Sequence, residues 1–157
     1  MEVYGATKTG RRQGSQRRLR IFTLEHANRS LPLVRRIVAD IVVKHKRICA
    51  LEERCQVARP GTSEDELEDL RRRYGDALDE LRRFADEISA IGCELKDVRR
   101  GIVDYRAIHH GRVIEFCWRH GEREICYWHE LDDGFHDRRP IDAEFFAAEA
   151  AFGHAHI

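Results

Sequence analysis

The chain has 157 residues, a formal net charge of zero, 42% hydrophobic residues and 36% charged residues. That length fits one domain with a single core, and the high charged fraction is typical of long, exposed helices with one apolar stripe. No stretch approaches the roughly 20 apolar residues that a membrane helix needs. The basic N-terminal stretch also lacks the apolar segment of a secretory signal. The composition therefore predicts a cytoplasmic protein with no membrane partner.

Residues 1–20 form a basic segment, with six lysine and arginine residues against the single acidic residue Glu2. Glycine, serine and threonine are interleaved with these charges, which predicts a disordered arm. A basic arm can bind nucleic acid without sequence preference. The remainder of the chain has an acidic surplus, however, and Tyr4 is the only aromatic residue of the arm. Nucleic acid is therefore disfavoured as a partner.

Two long helices are predicted for residues 24–91. Thr23 is suited to cap the first one, residues 28–32 suggest a break and a restart at Pro32, and the helix is expected to end near Ala58. Its apolar residues recur at helical spacing: Val34, Ile37, Ile41, Ile48, Leu51 and Cys55. A short connection then predicts an antiparallel hairpin.

The second helix has the clearest signals. Ser63 and Glu66 form a capping box, and Gly92 is the expected left-handed stop. Eight apolar residues follow one another in steps of three and four, as in a coiled coil: Leu67, Leu70, Tyr74, Ala77, Leu81, Phe84, Ile88 and Ile91. Two helices cannot cover such stripes completely, so we expect a homodimer that pairs two hairpins into a four-helix arrangement.

After Gly92 the pattern changes to β-branched and aromatic residues, which predicts a three-stranded antiparallel meander over residues 94–130. A fourth strand at the edge, Leu95–Val98, is the alternative. Residues 142–157 follow as a short C-terminal helix, from Asp142 to Phe152, and a tail. The predicted fold class is α+β, with one domain over residues 21–141.

The register of the last predicted hairpin decides which side chains share a face. A turn within His120–Arg123 would place Cys117 opposite Cys126 and put His129 at the end of an apolar face. Glu130 would then point to the opposite face.

Five cysteines without any C-x-x-C pair indicate reduced and mostly buried thiols rather than a disulfide or zinc-ribbon framework. The facing pair Cys117 and Cys126 leaves a disulfide or half of a metal site as alternatives. The cysteines alone therefore do not indicate a cofactor.

Carboxylates and one imidazole are the candidate metal ligands, expected where the helical hairpin meets the sheet: Glu94, Asp97, Asp104, His129 and Glu130. Such a set suits a divalent transition metal, which could activate a bound water as a nucleophile. The structural alternative is that these carboxylates form ion pairs with neighbouring lysines and arginines. Neither an H-E-x-x-H motif, a phosphate-binding loop nor a nucleophile elbow is present, so no reaction is assigned.

Short motifs in a fixed order carry a resemblance over residues 21–141. They are Phe22-Thr23-Leu24-Glu25, Leu31-Pro32-Leu33, Gly92-Cys93-Glu94-Leu95-Lys96-Asp97, Gly101-Ile102-Val103-Asp104-Tyr105, Cys117-Trp118, Tyr127-Trp128-His129-Glu130-Leu131 and Gly134-Phe135. In these motifs the chain resembles an uncharacterised bacterial family, domain of unknown function 2203. The resemblance implies no activity, because none is established for the family.

The sequence thus leaves two functional hypotheses. The favoured one is a non-catalytic module that oligomerises or binds a partner through its helical hairpin. The alternative is a protein that binds a divalent metal or a small ligand, with an enzyme activity left open.

Overall fold

The computed structural model of the chain describes residues 20–57 and 60–154, so the predicted basic arm lies, except for Arg20, outside the described residues. Two long helices, α1 (Leu24–Gln56) and α2 (Glu64–Ile91), precede a five-stranded antiparallel sheet. Its strands are β1 (Glu94–Asp97), β2 (Ile102–His109), β3 (Arg112–Arg119), β4 (Tyr127–Glu130) and β5 (Arg139–Pro140). Helix α3 (Ala143–His154) closes the described chain. The predicted α+β class is confirmed.

Helix α1 is continuous, so the predicted break at residues 28–32 is wrong. Pro32 lies inside the helix, where it removes one backbone hydrogen bond. The flanking residues Ala27, Leu31 and Val34 are nonetheless almost completely buried. Their burial on one helix face offsets the single lost bond, and the Ser30 hydroxyl donates to the Ala27 carbonyl in the same turn.

Helix α2 begins as predicted. The Ser63 side chain accepts from the backbone N–H of Glu66, and the Glu66 carboxylate accepts from that of Ser63. The helix ends at Gly92, whose φ of 103° is the left-handed conformation that favours glycine. Next to it, β1 begins at Glu94 and becomes the edge strand of the sheet.

The strands follow one another in the order β1-β2-β3-β4-β5. The predicted meander therefore gains β1, the expected alternative edge strand, and the two-residue β5 on the other side. In α3, the Asp142 carboxylate caps the helix by accepting from the N–H groups of Glu144 and Phe145. The helix continues to His154, beyond its predicted end at Phe152.

The predicted register between β3 and β4 is wrong by one residue. Cys117 lies opposite Tyr127, not Cys126, and Glu115 lies opposite His129. The connection between β3 and β4 runs over residues 120–126 and is longer than a tight turn. Its Ile125 N–H donates to the Asn28 side chain of α1, which fixes where the connection lies. A shift of one residue moves every side chain of a strand to the other face.

The corrected register separates an apolar face from a polar one. The helices cover the apolar face, where the Tyr105 hydroxyl of β2 lies 3.1 Å from the Ser30 hydroxyl of α1. The core there contains Ile37, Val38, Ile41, Ile88, Val103, Tyr105, Ile114, Phe116, Trp118 and Trp128. His129 lies on the opposite face, so its predicted place among apolar residues is wrong. Within the described residues no helix is long and apolar enough to cross a membrane.

Candidate metal site

Three buried polar side chains from three neighbouring strands meet on the polar face. Asp104 of β2 is paired with Cys117 of β3 in the register, and His129 of β4 lies one pair further along the same face. Their exposed fractions are 4%, 0% and 1%. One carboxylate oxygen, the thiol sulfur and one imidazole nitrogen all lie within 4.8 Å of one another. Carboxylate, thiolate and imidazole are ligands that zinc accepts.

The orientation of His129 is set by its own strand end. Its Nδ1 lies 2.8 Å from the Glu130 carbonyl oxygen, and its Nε2 lies 3.2 Å from Asp104 Oδ2. A carbonyl only accepts, so Nδ1 carries the hydrogen, and a neutral ring then presents its lone pair at Nε2 toward Asp104. Such a backbone contact is how proteins fix the tautomer of a metal-binding histidine.

The separation of Nε2 and Asp104 Oδ2 is also compatible with a shared ion. Two ligands about 2.1 Å from a tetrahedral zinc lie roughly 3.4 Å apart. The observed 3.2 Å is close to that edge length. Without an ion, the same contact requires a shared proton, since neutral imidazole and carboxylate would otherwise direct two lone pairs at each other.

Burial and hydrogen bonding together set the pKa values of the side chains in this cluster. Desolvation alone would lower the pKa of His129, but the hydrogen bonds to Asp104 and to the Glu130 carbonyl outweigh it and raise the pKa above its usual value. Burial, followed by the nearby Asp104 charge, raises the pKa of Glu115. The same two causes raise the pKa of the Cys117 thiol far above its usual range.

Glu115 lies beside the cluster without joining its three ligand atoms. Its Oε2 is 3.9 Å from His129 Nδ1, while its Oε1 is 3.6 Å from the Lys96 ammonium and 3.9 Å from Arg106 Nε. Both separations of Oε1 exceed hydrogen-bond length. Glu115 Oε1 and Asp104 Oδ1 are therefore buried oxygens that make no hydrogen bond within the described part of the chain.

The structure brings together two of the five predicted ligands, Asp104 and His129. Glu94 is paired with Asp104 in the register, but its carboxylate binds Lys96 at 3.1 Å. Asp97 accepts from the backbone N–H of Arg100 and from its guanidinium, and these contacts lower the pKa of its carboxyl.

Glu130 points to the other face of the sheet, as predicted from the alternation of side chains. Its carboxylate accepts from Arg112 at 2.6 Å and lies 3.8 Å from Arg139. For Asp97 and Glu130, then, the structural alternative of ion pairing describes the contacts that are present.

Sequence reasoning missed Glu115 and gave Cys117 the wrong neighbour. All five cysteines are free thiols, and Cys126 is exposed and away from Cys117 in the register. Only Cys93 and Cys117 are buried, so the prediction of mostly buried thiols is wrong. The signal was present in the alternation along β3, where Glu115 and Cys117 share a face. Only the one-residue register error kept them apart from His129.

The cluster lies on the sheet face opposite the helices, rather than where the hairpin meets the sheet. The segment after β4 covers this face with Phe135, which packs against the guanidinium groups of Arg100 and Arg138 at 5.0 and 3.9 Å from its ring centre. A cavity of about 210 Å³ remains beneath it, lined in part by Asp104 and Glu115.

A nucleophilic cysteine fits this geometry less well than a metal ligand. A base for Cys117 would have to be His129, yet both ring nitrogens are engaged, one by the Glu130 carbonyl and the other by Asp104. The pKa of the thiol is raised, whereas reactive cysteines have a lowered one. A bound cation would reverse this, because coordination removes the thiol proton.

Fold and site together define an α+β protein with a buried Asp-Cys-His cluster on the outer face of an antiparallel sheet. The family model described as "Uncharacterized conserved protein (DUF2203)" matches residues 20–141. The chain therefore belongs to this family, as its motifs predicted. No curated protein and no solved structure gives a significant match.

Proposed function

We propose that this protein binds one divalent transition metal through Asp104, Cys117 and His129, with zinc as the ion that the ligand set suits best. The convergence of the three ligand atoms within 4.8 Å carries the proposal. A mixed oxygen, nitrogen and sulfur set favours zinc and its neighbours over calcium or magnesium, which prefer oxygen alone.

Two further observations support the proposal. The Glu130 carbonyl holds His129 with Nε2 directed at Asp104, which is the backbone contact that commonly orients a metal-binding histidine. The second is Asp104 Oδ1, a buried oxygen that accepts no hydrogen bond from residues 20–57 and 60–154. An unpaired buried acceptor costs about 1–3 kcal/mol, and a cation at the carboxylate would offset that cost.

The test is a titration of the untagged full chain with cobalt(II), which takes the tetrahedral sites of zinc and absorbs visible light. We expect one equivalent to give the intense visible bands of tetrahedral cobalt, together with a near-ultraviolet band from thiolate coordination. Zinc should displace it and should raise the melting temperature. A pale octahedral spectrum with no thiolate band and no thermal shift would contradict the proposal.

A second candidate function is self-association through the helical hairpin. The eight-residue stripe of α2 supports it, because only Ala77 and Ile88 of this stripe are fully buried within one chain. The other six positions are half-buried: Leu67, Leu70, Tyr74, Leu81, Phe84 and Ile91. On α1, Val43 is exposed as well. A second copy of the hairpin would cover such a stripe in the manner of a four-helix bundle.

Sedimentation velocity of the full chain measures this directly. We expect the mass of a dimer at micromolar concentration and a shift toward monomer on dilution. A monomer throughout the accessible concentration range would overturn the assembly while leaving the metal proposal intact.

A further inference from the structure

We propose that the metal keeps one coordination position for a small molecule that carries a metal-binding oxygen next to an N–H or O–H donor. This inference rests on the proposed metal site and adds the class of ligand that the site would take.

The site has three candidate ligands among the described residues, one fewer than a closed zinc site. Structural zinc sites are closed by four protein ligands, whereas sites that bind water or substrate have three. Three ligand atoms converge here among the described residues. Glu115, the next carboxylate, approaches the Nδ1 side of His129 at 3.9 Å, and that nitrogen faces the Glu130 carbonyl instead of the ion.

A cavity borders the Asp104 ligand. Its volume of about 210 Å³ is that of roughly seven water molecules, and Asp104 belongs both to its lining and to the ligand set. Its lining combines the apolar Ile102, Leu131 and Phe135 with the charged Lys96, Arg100 and Asp133. The space therefore borders the Asp104 ligand and is large enough for a molecule of a few heavy atoms.

Glu115 contributes a buried carboxylate oxygen to the lining of this cavity. Glu115 is 98% buried, and its Oε1 has no hydrogen-bond partner in the described chain. The Lys96 ammonium and the Arg106 guanidinium lie 3.6 and 3.9 Å from this oxygen, within the range of an ion pair but beyond that of a hydrogen bond. A ligand with an N–H or O–H group would give this oxygen its missing hydrogen bond, whereas one made only of acceptors would not.

Two small probes separate these cases. Acetohydroxamic acid, bound as the hydroxamate, offers two oxygens and an N–H donor, whereas N-methylacetohydroxamic acid offers the same oxygens without the N–H. In the cobalt-loaded full chain, we expect acetohydroxamic acid to shift the visible bands in a saturable way while the thiolate band persists. N-methylacetohydroxamic acid should bind roughly ten-fold more weakly or worse, the usual size of discrimination by one unpaired buried group.

Variants of Glu115 assign the preference to that side chain. Glu115→Leu removes the acceptor and should reduce the preference for acetohydroxamic acid over its N-methyl analogue to near unity, with cobalt still bound. Glu115→Gln retains an acceptor oxygen and should retain the preference, which guards against a folding defect in the leucine variant. Glu68→Gln, an exposed carboxylate of helix α2, is the matched control and should behave like the unaltered chain.

The outcomes distinguish this inference from the metal proposal. Cobalt bound with its thiolate band but unmoved by either probe means a closed structural site, which overturns the inference and leaves the metal proposal standing. Equal binding of both probes overturns the ligand class, and loss of the thiolate band, which shows cobalt being stripped from the protein, counts against a bound complex. If cobalt itself does not bind, the proposed function fails first.

Discussion

Replacing Cys117 by serine is expected to remove the thiolate-to-cobalt band and to weaken zinc binding by more than about 100-fold. The reason is the loss of the only soft ligand in the set, for which a neutral hydroxyl is a poor substitute. Outer-shell changes at metal sites alone cost 10–100-fold, so removal of a ligand sets a larger expectation. The change is nearly isosteric, which limits its effect on the surrounding strands.

The measurement is a competition titration with a zinc chelator, run beside the cobalt spectrum. Cys126→Ser is the matched control, because Cys126 is an exposed free thiol outside the cluster. It should match the unaltered chain in both readouts. Retention of the thiolate band by Cys117→Ser, or its loss from Cys126→Ser, would show that the wrong cysteine has been assigned.

The largest expected effect on stability is that of Trp118→Ala. Trp118 is fully buried against the helices, and its indole N–H donates to the Glu122 carbonyl at 3.0 Å. Truncation of a buried tryptophan costs about 3–5 kcal/mol. Domains of this size are stable by only about 5–15 kcal/mol, so a large part of the free energy of unfolding should be lost.

Urea denaturation followed by far-ultraviolet circular dichroism measures this loss, with Trp118→Phe as the comparison. The phenylalanine variant keeps most of the apolar volume and loses chiefly the hydrogen bond, so it should cost about 1–3 kcal/mol. Since Trp118 faces away from the cluster, the folded fraction of both variants should still bind cobalt. Equal midpoints for Trp118→Ala and the unaltered chain would contradict the assigned packing.

The sequence predicted the helices well because their signals are local. The capping box at Ser63 and the stop at Gly92 depend on residues within one turn, and both are present. The predicted break at Pro32 failed because long-range burial of its neighbours in the core overrides the local cost of proline. Local preference and tertiary packing disagreed there, and packing prevailed.

The site was predicted in part for a similar reason. Asp104 and His129 could be named from their residue types, but their neighbours depend on the register of β4. That register follows a connection whose Ile125 N–H is bound by Asn28, 97 residues earlier in the chain. Rules for short turns cannot predict so distant a contact. The predicted register was therefore wrong by one residue, and it placed His129 among apolar side chains instead of beside Cys117 and Glu115.

The bond between Asn28 and Ile125 also gives the cluster a place in the order of synthesis. Ribosomes release the chain from its N-terminus, so Asn28 emerges long before the strand that carries His129. The contact that aligns the strand bearing His129 thus spans 97 residues of chain, and a contact of that separation costs more loop-closure entropy than a local one. We therefore expect the Asp-Cys-His cluster to form only when the first helix and the β3–β4 connection have come together.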